Sequence, residues 1–166
     1  MMFAITEGLR WLEATALAMF VMESGWAFQA LLMVHLTAIT IVAGMISIVD
    51  LRLLGLASTT CPVTDVCREA LPWTWGAFAV AAVSGAFLFL AQPLKYFGNA
   101  AFQMKFLLMA LAGINMLIFH FLVYRGVSAW DRDAAVPLSG KLAGAVSLAL
   151  WIAIVAYGRW TAYYAV

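Results

Sequence analysis

Residues 26–49 read WAFQALLMVHLTAITIVAGMISIV, an unbroken run carrying no Asp, Glu, Lys or Arg. At 1.5 Å per residue such a run, as a helix, exceeds the roughly 30 Å of hydrocarbon in a bilayer. It reads as a membrane span that ends at Asp50-Leu51-Arg52. Three further apolar stretches follow, over about 70–92, 100–124 and 139–163. The reading is therefore an all-α integral membrane four-helix bundle in a single domain.

Composition agrees. The chain is 66% hydrophobic and 10% charged, against about a quarter charged in soluble domains. So much apolar surface has to face lipid. A net charge of +1 gives no concentrated basic face, which excludes nucleic acid as a partner. Met1 to Met22 carries Glu7, Arg10 and Glu13 and does not resemble a cleaved signal peptide. Residues 3–22 read instead as an amphipathic interfacial helix: Thr6, Glu7, Arg10 and Glu13 share one side, while Phe3, Leu9, Leu12, Leu17 and Phe20 cover the rest and Trp11 anchors at headgroup level.

Connections are short. A loop holding Cys61-Pro62, Asp65, Cys67 and Arg68 leads to the second span, with Pro72 in its first turn, where a missing N–H costs nothing. Asn99 and Ser139 are the expected caps of the third and fourth spans. Asp50-Leu51-Arg52 and Trp130-Asp131-Arg132-Asp133 read as solvated charge pairs at helix ends. Cys61 and Cys67, with no second pair and no loop histidine, are expected as free thiols. Basic residues near span ends count five on the long-loop side and four on the terminal side, which places the long loops in the cytoplasm and both termini outside. Small residues at four-residue steps, Ala77, Ala81 and Gly85 in the second span and Gly140 and Gly144 in the fourth, mark faces where backbones approach closely.

Two histidines, His35 and His120, lie inside the spans, and an ionisable group at that depth is a functional hypothesis by default. As a pair they are candidate axial ligands of haem b. Lys105, Met109, Gly113, Met116 and His120 recur at helical spacing, so a glycine and two methionines share the face of His120. Depth separates the two imidazoles, however. Counted from the starts of two parallel spans, they differ by roughly 14 Å along the membrane normal. The alternatives are hydrogen bonds that join helices, a haem at one or either histidine, or a metal or proton-relay role. Near the terminal side Arg159 and Lys105, with Gln29, Glu23, Gln103 and His35, form a second candidate site for a quinone or an anionic lipid. The chain has no GxSxG, HExxH or P-loop, so no catalytic residue is assigned.

Val34-His35-Leu36, the Val49–Gly55 stretch, Leu71-Pro72-Trp73-Thr74-Trp75, Asn115 through Phe119-His120, and Gly158-Arg159-Trp160 together resemble a bacterial family of small four-span membrane proteins designated a domain of unknown function. That resemblance implies a four-helix bundle preceded by a short helix, and no established activity. His35-Leu36 and Gly44 are also similar in outline to cytochrome b561-like and copper-resistance-type membrane domains, without the paired histidines of a two-haem bundle. The expected function is a non-enzymatic accessory or binding subunit of the bacterial inner membrane, with a lipid- or quinone-facing site and a membrane-protein partner or homo-oligomer. A haem electron-transfer protein and an oligomeric transporter are the alternatives.

Overall fold

The computed structural model describes residues 2–131, 135–161 and 163. Arg132, Asp133, the Phe3 side chain and the expected end of the fourth span at Tyr164 lie outside the described residues. The elements in chain order are α1 (Met2–Glu13), α2 (Ala16–Glu23), α3 (Ala27–Leu54), α4 (Val63–Ala91), α5 (Pro93–Phe97), α6 (Ala100–Ile118) and α7 (Leu138–Trp160). Between α6 and α7 the chain continues as a π-helical turn, Phe119–Val123, and a 3-10 helix, Tyr124–Ala129. Among the described residues there is no strand, and four helices are long and apolar enough to cross a membrane: Ala27–Leu54, Val63–Ala91, Ala100–Ala129 and Leu138–Trp160. The protein is an all-α four-helix membrane bundle.

The N-terminal segment is two helices rather than one. Thr15 breaks it by closing α1 and capping α2: its hydroxyl donates to the Leu12 carbonyl at 2.7 Å and accepts from the Ala18 N–H at 3.4 Å. α1 rests on α4 and α5, and α2 on α3 and α4. Leu9 is buried beneath α1 while Trp11 stays 70% exposed, which is the amphipathic division expected from the sequence.

α3 packs along α4 and α7, and α7 along α6, whereas α4 and α6 do not approach closely along their length. The small-residue faces account for the close pairs. A Cβ added at Gly144 would sit 3.1 Å from both the Asp50 carbonyl oxygen and Leu53 Cβ, and one at Gly85 would sit 2.8 Å from His35 Cε1. In lipid, dispersion contacts of this kind replace the hydrophobic effect as the force between helices. The outward faces carry Met33, Leu36, Phe106, Ile114 and Ile152, all exposed, as a lipid-facing surface requires.

Two helix ends differ from the sequence expectation. α3 runs past Asp50-Leu51-Arg52 and stops at Gly55, whose φ of 74° and N–H bond to the Arg52 carbonyl make a left-handed cap. Asp50 and Arg52 are therefore inside a helix, only 4% and 5% exposed, and not solvated. α4 begins at Val63, well before Ala70, so Pro72 lies in the helix interior. The early start is held from another loop. Asp131 Oδ1 accepts from the Thr64 N–H at 2.9 Å, and its Oδ2 accepts from the Thr64 hydroxyl at 2.6 Å. Arg52 joins both loops, donating to the carbonyls of Cys61 at 2.7 Å and Asp131 at 3.3 Å.

At the opposite end Asn99 caps α6 as expected. Its Oδ1 accepts from the N–H groups of Ala101 and Phe102, and its Nδ2 donates to the Thr161 carbonyl at 3.1 Å, tying α6 to the end of α7. Ser139 is not the cap of α7, which starts at Leu138 after Pro137.

Candidate functional site

Where α4 and α6 part, a cavity of about 250 Å³ opens inside the bundle, lined from all four spans. Its walls are mostly apolar and aromatic, with Val42 and Ile46 from α3, Trp75 and Phe78 from α4, and Trp151 from α7. α6 supplies Met109, Gly113, Met116 and His120. Those four had been placed on one helix face by spacing alone, and that face is the cavity wall. A Cβ added at Gly113 meets nothing within 4 Å, so this glycine leaves open space rather than admitting a neighbouring helix.

The site depends on how α6 ends. At Phe119–Val123 the helix widens into a π turn, the Tyr124 N–H bonding back to the Phe119 carbonyl. Such turns re-aim side chains and recur at functional sites. Here the turn carries His120, and the rings of His120 and Tyr124 stack with centroids 5.2 Å apart and planes 13° apart. His120 is exposed while lining the cavity, so it belongs to the rim.

The polar groups collect toward the loop end. Asp50, Cys67, Thr74, Asn115, Tyr124 and Ser147 line that part. Ser147 shares this wall with Asp50, and Asp50 Oδ2 is buried with no hydrogen-bond partner. Arg52, two residues on, is held by the loop carbonyls. A buried carboxyl oxygen without a partner costs a few kcal/mol, and an ionisable group in a membrane span is a functional hypothesis by default. Sequence reading missed Asp50 by taking it as the solvated end of a span. The signal was present: Val42, Ile46, Asp50 and Leu53 follow at helical spacing, and all line the cavity.

Residues 9–164 match the family of unknown function DUF6644. The chain belongs to that family. The DUF6644 match takes in all four spans and every residue lining the cavity, so the site is part of the shared region and not an appendage to it. Comparison with curated proteins and with solved structures finds no match.

The remaining sequence candidates fall elsewhere in this DUF6644 bundle. His35 does not line the cavity. Its Nδ1 lies 2.9 Å from the Ala81 carbonyl oxygen and 3.1 Å from Ser84 Oγ. A carbonyl only accepts, so Nδ1 carries the proton and donates, and the ring lies flush on Gly85. His35 and His120 are not brought together: one meets α4 at residues 81–85 and the other lies near its start, where Cys67 and Leu71 share the cavity. Arg159 folds back on its own helix end, its guanidinium 5.2 Å from the centre of the Tyr163 ring and donating to that hydroxyl at 3.3 Å. The end of the Lys105 side chain lies 3.7 Å from where a Gly158 Cβ would stand, and Gln103 donates to the Phe97 carbonyl. Arg159 and Gln103 thus have partners close to them in the chain. Cys61 is exposed and Cys67 buried, both as free thiols.

Proposed function

We propose that this protein binds a small amphiphilic molecule of the quinone or lipid class, taken laterally from the bilayer, and acts as a non-enzymatic binding or accessory subunit in a bacterial inner membrane. The observation that carries this reading is the cavity. It has apolar and aromatic walls, a polar end, and a position at the seam where α4 and α6 separate. Membrane ligand sites combine these features, since an apolar body fills the pocket and a few polar groups orient the head. Its volume of about 250 Å³ lies just below the usual range of small-molecule pockets, roughly 300–1,000 Å³, and suits a ring or head whose tail stays in lipid.

The test is to purify the protein in mild detergent, extract it with organic solvent and identify the extract by mass spectrometry. A stoichiometric quinone or single lipid species is expected. It should be lost in Gly113→Phe, which fills the cavity, and kept in Arg159→Ala, which lies away from it. An extract unchanged by Gly113→Phe removes the cavity from consideration.

A second reading is favoured by one observation: His120, Gly113, Met109 and Met116 line the same cavity. A haem b could be held there by His120 as its sole histidine ligand, His35 being outside the cavity. A Soret band that survives His35→Ala and disappears in His120→Ala would support it. A colourless protein from a haem-sufficient host would remove it.

A further inference from the structure

The cavity occupies one half of the bundle. α3 and α6 run toward the loop side, where Arg52 meets Cys61 and Asp131, and α4 and α7 run away from it. The lining residues fall within 42–53 of α3, 67–78 of α4, 109–124 of the third span and 143–151 of α7. Each stretch lies in the loop-side half of its span, and none passes the middle by more than about a turn and a half. At 1.5 Å per residue the walls from α3 and α4 are about 16 Å long, the depth of one leaflet in roughly 30 Å of hydrocarbon. Polarity follows the same axis. Thr74, Asn115, His120, Tyr124 and Ser147 lie toward the loops, while the lining residue farthest from the loops is apolar or aromatic in every span: Val42, Phe78, Met109 and Trp151.

The seam between α4 and α6 is open at this end and shut at the other. Its edges beside the cavity are Trp75 on α4 and Met116 and His120 on the third span, all exposed. Toward the terminal side the rings of Phe89 and Phe102 stack across the seam, with centroids 5.7 Å apart and planes 9° apart, and the Tyr96 ring of α5 lies 5.3 Å from that of Phe102. The neighbouring seams close at the same level. His35 fills the notch at Gly85 between α3 and α4, and Asn99 ties the start of α6 to Thr161.

We infer that the cavity takes its guest from one leaflet only, the leaflet on the loop side, and holds it with its head toward the loops. The inference rests on the amphiphile reading of the cavity. An amphiphile of that leaflet already has its head toward the loops. It slides in through the open part of the seam without turning over, and its head meets the polar lining at its own depth. A molecule of the opposite leaflet has to carry its head through hydrocarbon, where polar and charged groups are costly. It also meets the seam where Phe89 and Phe102 shut it. The site thus samples the composition of one leaflet.

The test uses the full chain in phosphatidylcholine proteoliposomes of mixed orientation. The probe is a lysophosphatidylcholine with a photoactivatable diazirine in its chain, added from outside; its charged head keeps it in the outer leaflet. A membrane-impermeant biotin maleimide marks, at the exposed Cys61, the chains whose loops face outward, while Cys67 is buried. After brief illumination, marked and unmarked chains are separated on streptavidin and digested, and mass spectrometry locates the adducts. Cavity adducts, recognised by their loss in Gly113→Phe, are expected on marked chains and absent from unmarked ones. Equal cavity labelling of the two populations overturns the inference while leaving the amphiphile site standing. Cavity labelling confined to unmarked chains overturns it as well. A cavity unlabelled in both populations with probe on both sides of the bilayer overturns the amphiphile reading itself. Should Gly113→Phe fail to fold, adducts at Val42 and Thr74, which are buried and line the cavity, identify cavity labelling in its place.

Discussion

The two histidines sit in the same bundle, each near a glycine, and have opposite surroundings. The His35 ring occupies the space where a Gly85 side chain would be, 2.8 Å from the missing Cβ, and its Nδ1 is engaged by Ala81 and Ser84 on the facing helix. The Gly113 site, one side of the cavity that His120 borders, meets nothing within 4 Å. His120 has a stacking partner in Tyr124, just past its own π turn, rather than a bond across the bundle. A histidine in hydrocarbon is costly in both places. At His35 the cost is offset by joining α3 to α4. At His120 it is offset by exposure at the rim and by the stack on Tyr124. A polar residue in a span thus lies either at a closed helix contact or at an open cavity, and the space around the neighbouring glycine distinguishes them.

Substitutions can break that contrast, and the largest effect is expected where packing is tightest. Gly85→Ala should destabilise the detergent-solubilised protein by about 1–3 kcal/mol, as overpacking does, whereas Gly113→Ala should be neutral or stabilising by up to about 1 kcal/mol through helix propensity. Thermal and denaturant unfolding of the pair measures the difference; equal losses would erase the distinction between the two sites. Asp131→Ala comes next. It leaves the Thr64 N–H without its cap, for an expected loss of about 1–2 kcal/mol and earlier hydrogen exchange at the start of α4. His35→Ala should cost about 1 kcal/mol, the scale of an interhelical hydrogen bond in a membrane together with its packing. The smallest stability change, within about 0.5 kcal/mol, belongs to His120→Ala, although this variant should lose bound ligand at least about tenfold. A His120→Ala protein that unfolds as readily as His35→Ala would make both histidines adhesive.

Much of the architecture was legible before any coordinates. The four apolar runs needed only length and hydropathy. The Asn99 cap followed from an Asx residue standing before an apolar run, and the face of Met109, Gly113, Met116 and His120 from helical period. The errors have a common physical source. Asp50 and Arg52 were read as the solvated end of a span because charge is the usual sign of water. In the folded chain the helix runs on past Arg52 to its cap at Gly55, while the loop carbonyls of Cys61 and Asp131 take the guanidinium out of solvent. The start of α4 was placed too late for the same reason: its cap comes from Asp131, distant in sequence. At the second candidate site the Arg159 guanidinium lies against the Tyr163 ring, and the Lys105 side chain passes beside Gly158.

The sequence by itself determined that the chain crosses a membrane as four helices, because a backbone in hydrocarbon must satisfy its own hydrogen bonds and an apolar run of sufficient length does so only as a helix. It also determined which residues share a helix face, since that is fixed by the helical repeat. Only the tertiary structure decided which faces meet. That choice rests on sub-ångström fit between side chains on different helices: closed at Gly85 and Gly144, open at Gly113. It turned His35 into a contact, His120 into a rim and Asp50 into a buried carboxyl at the polar end of a cavity.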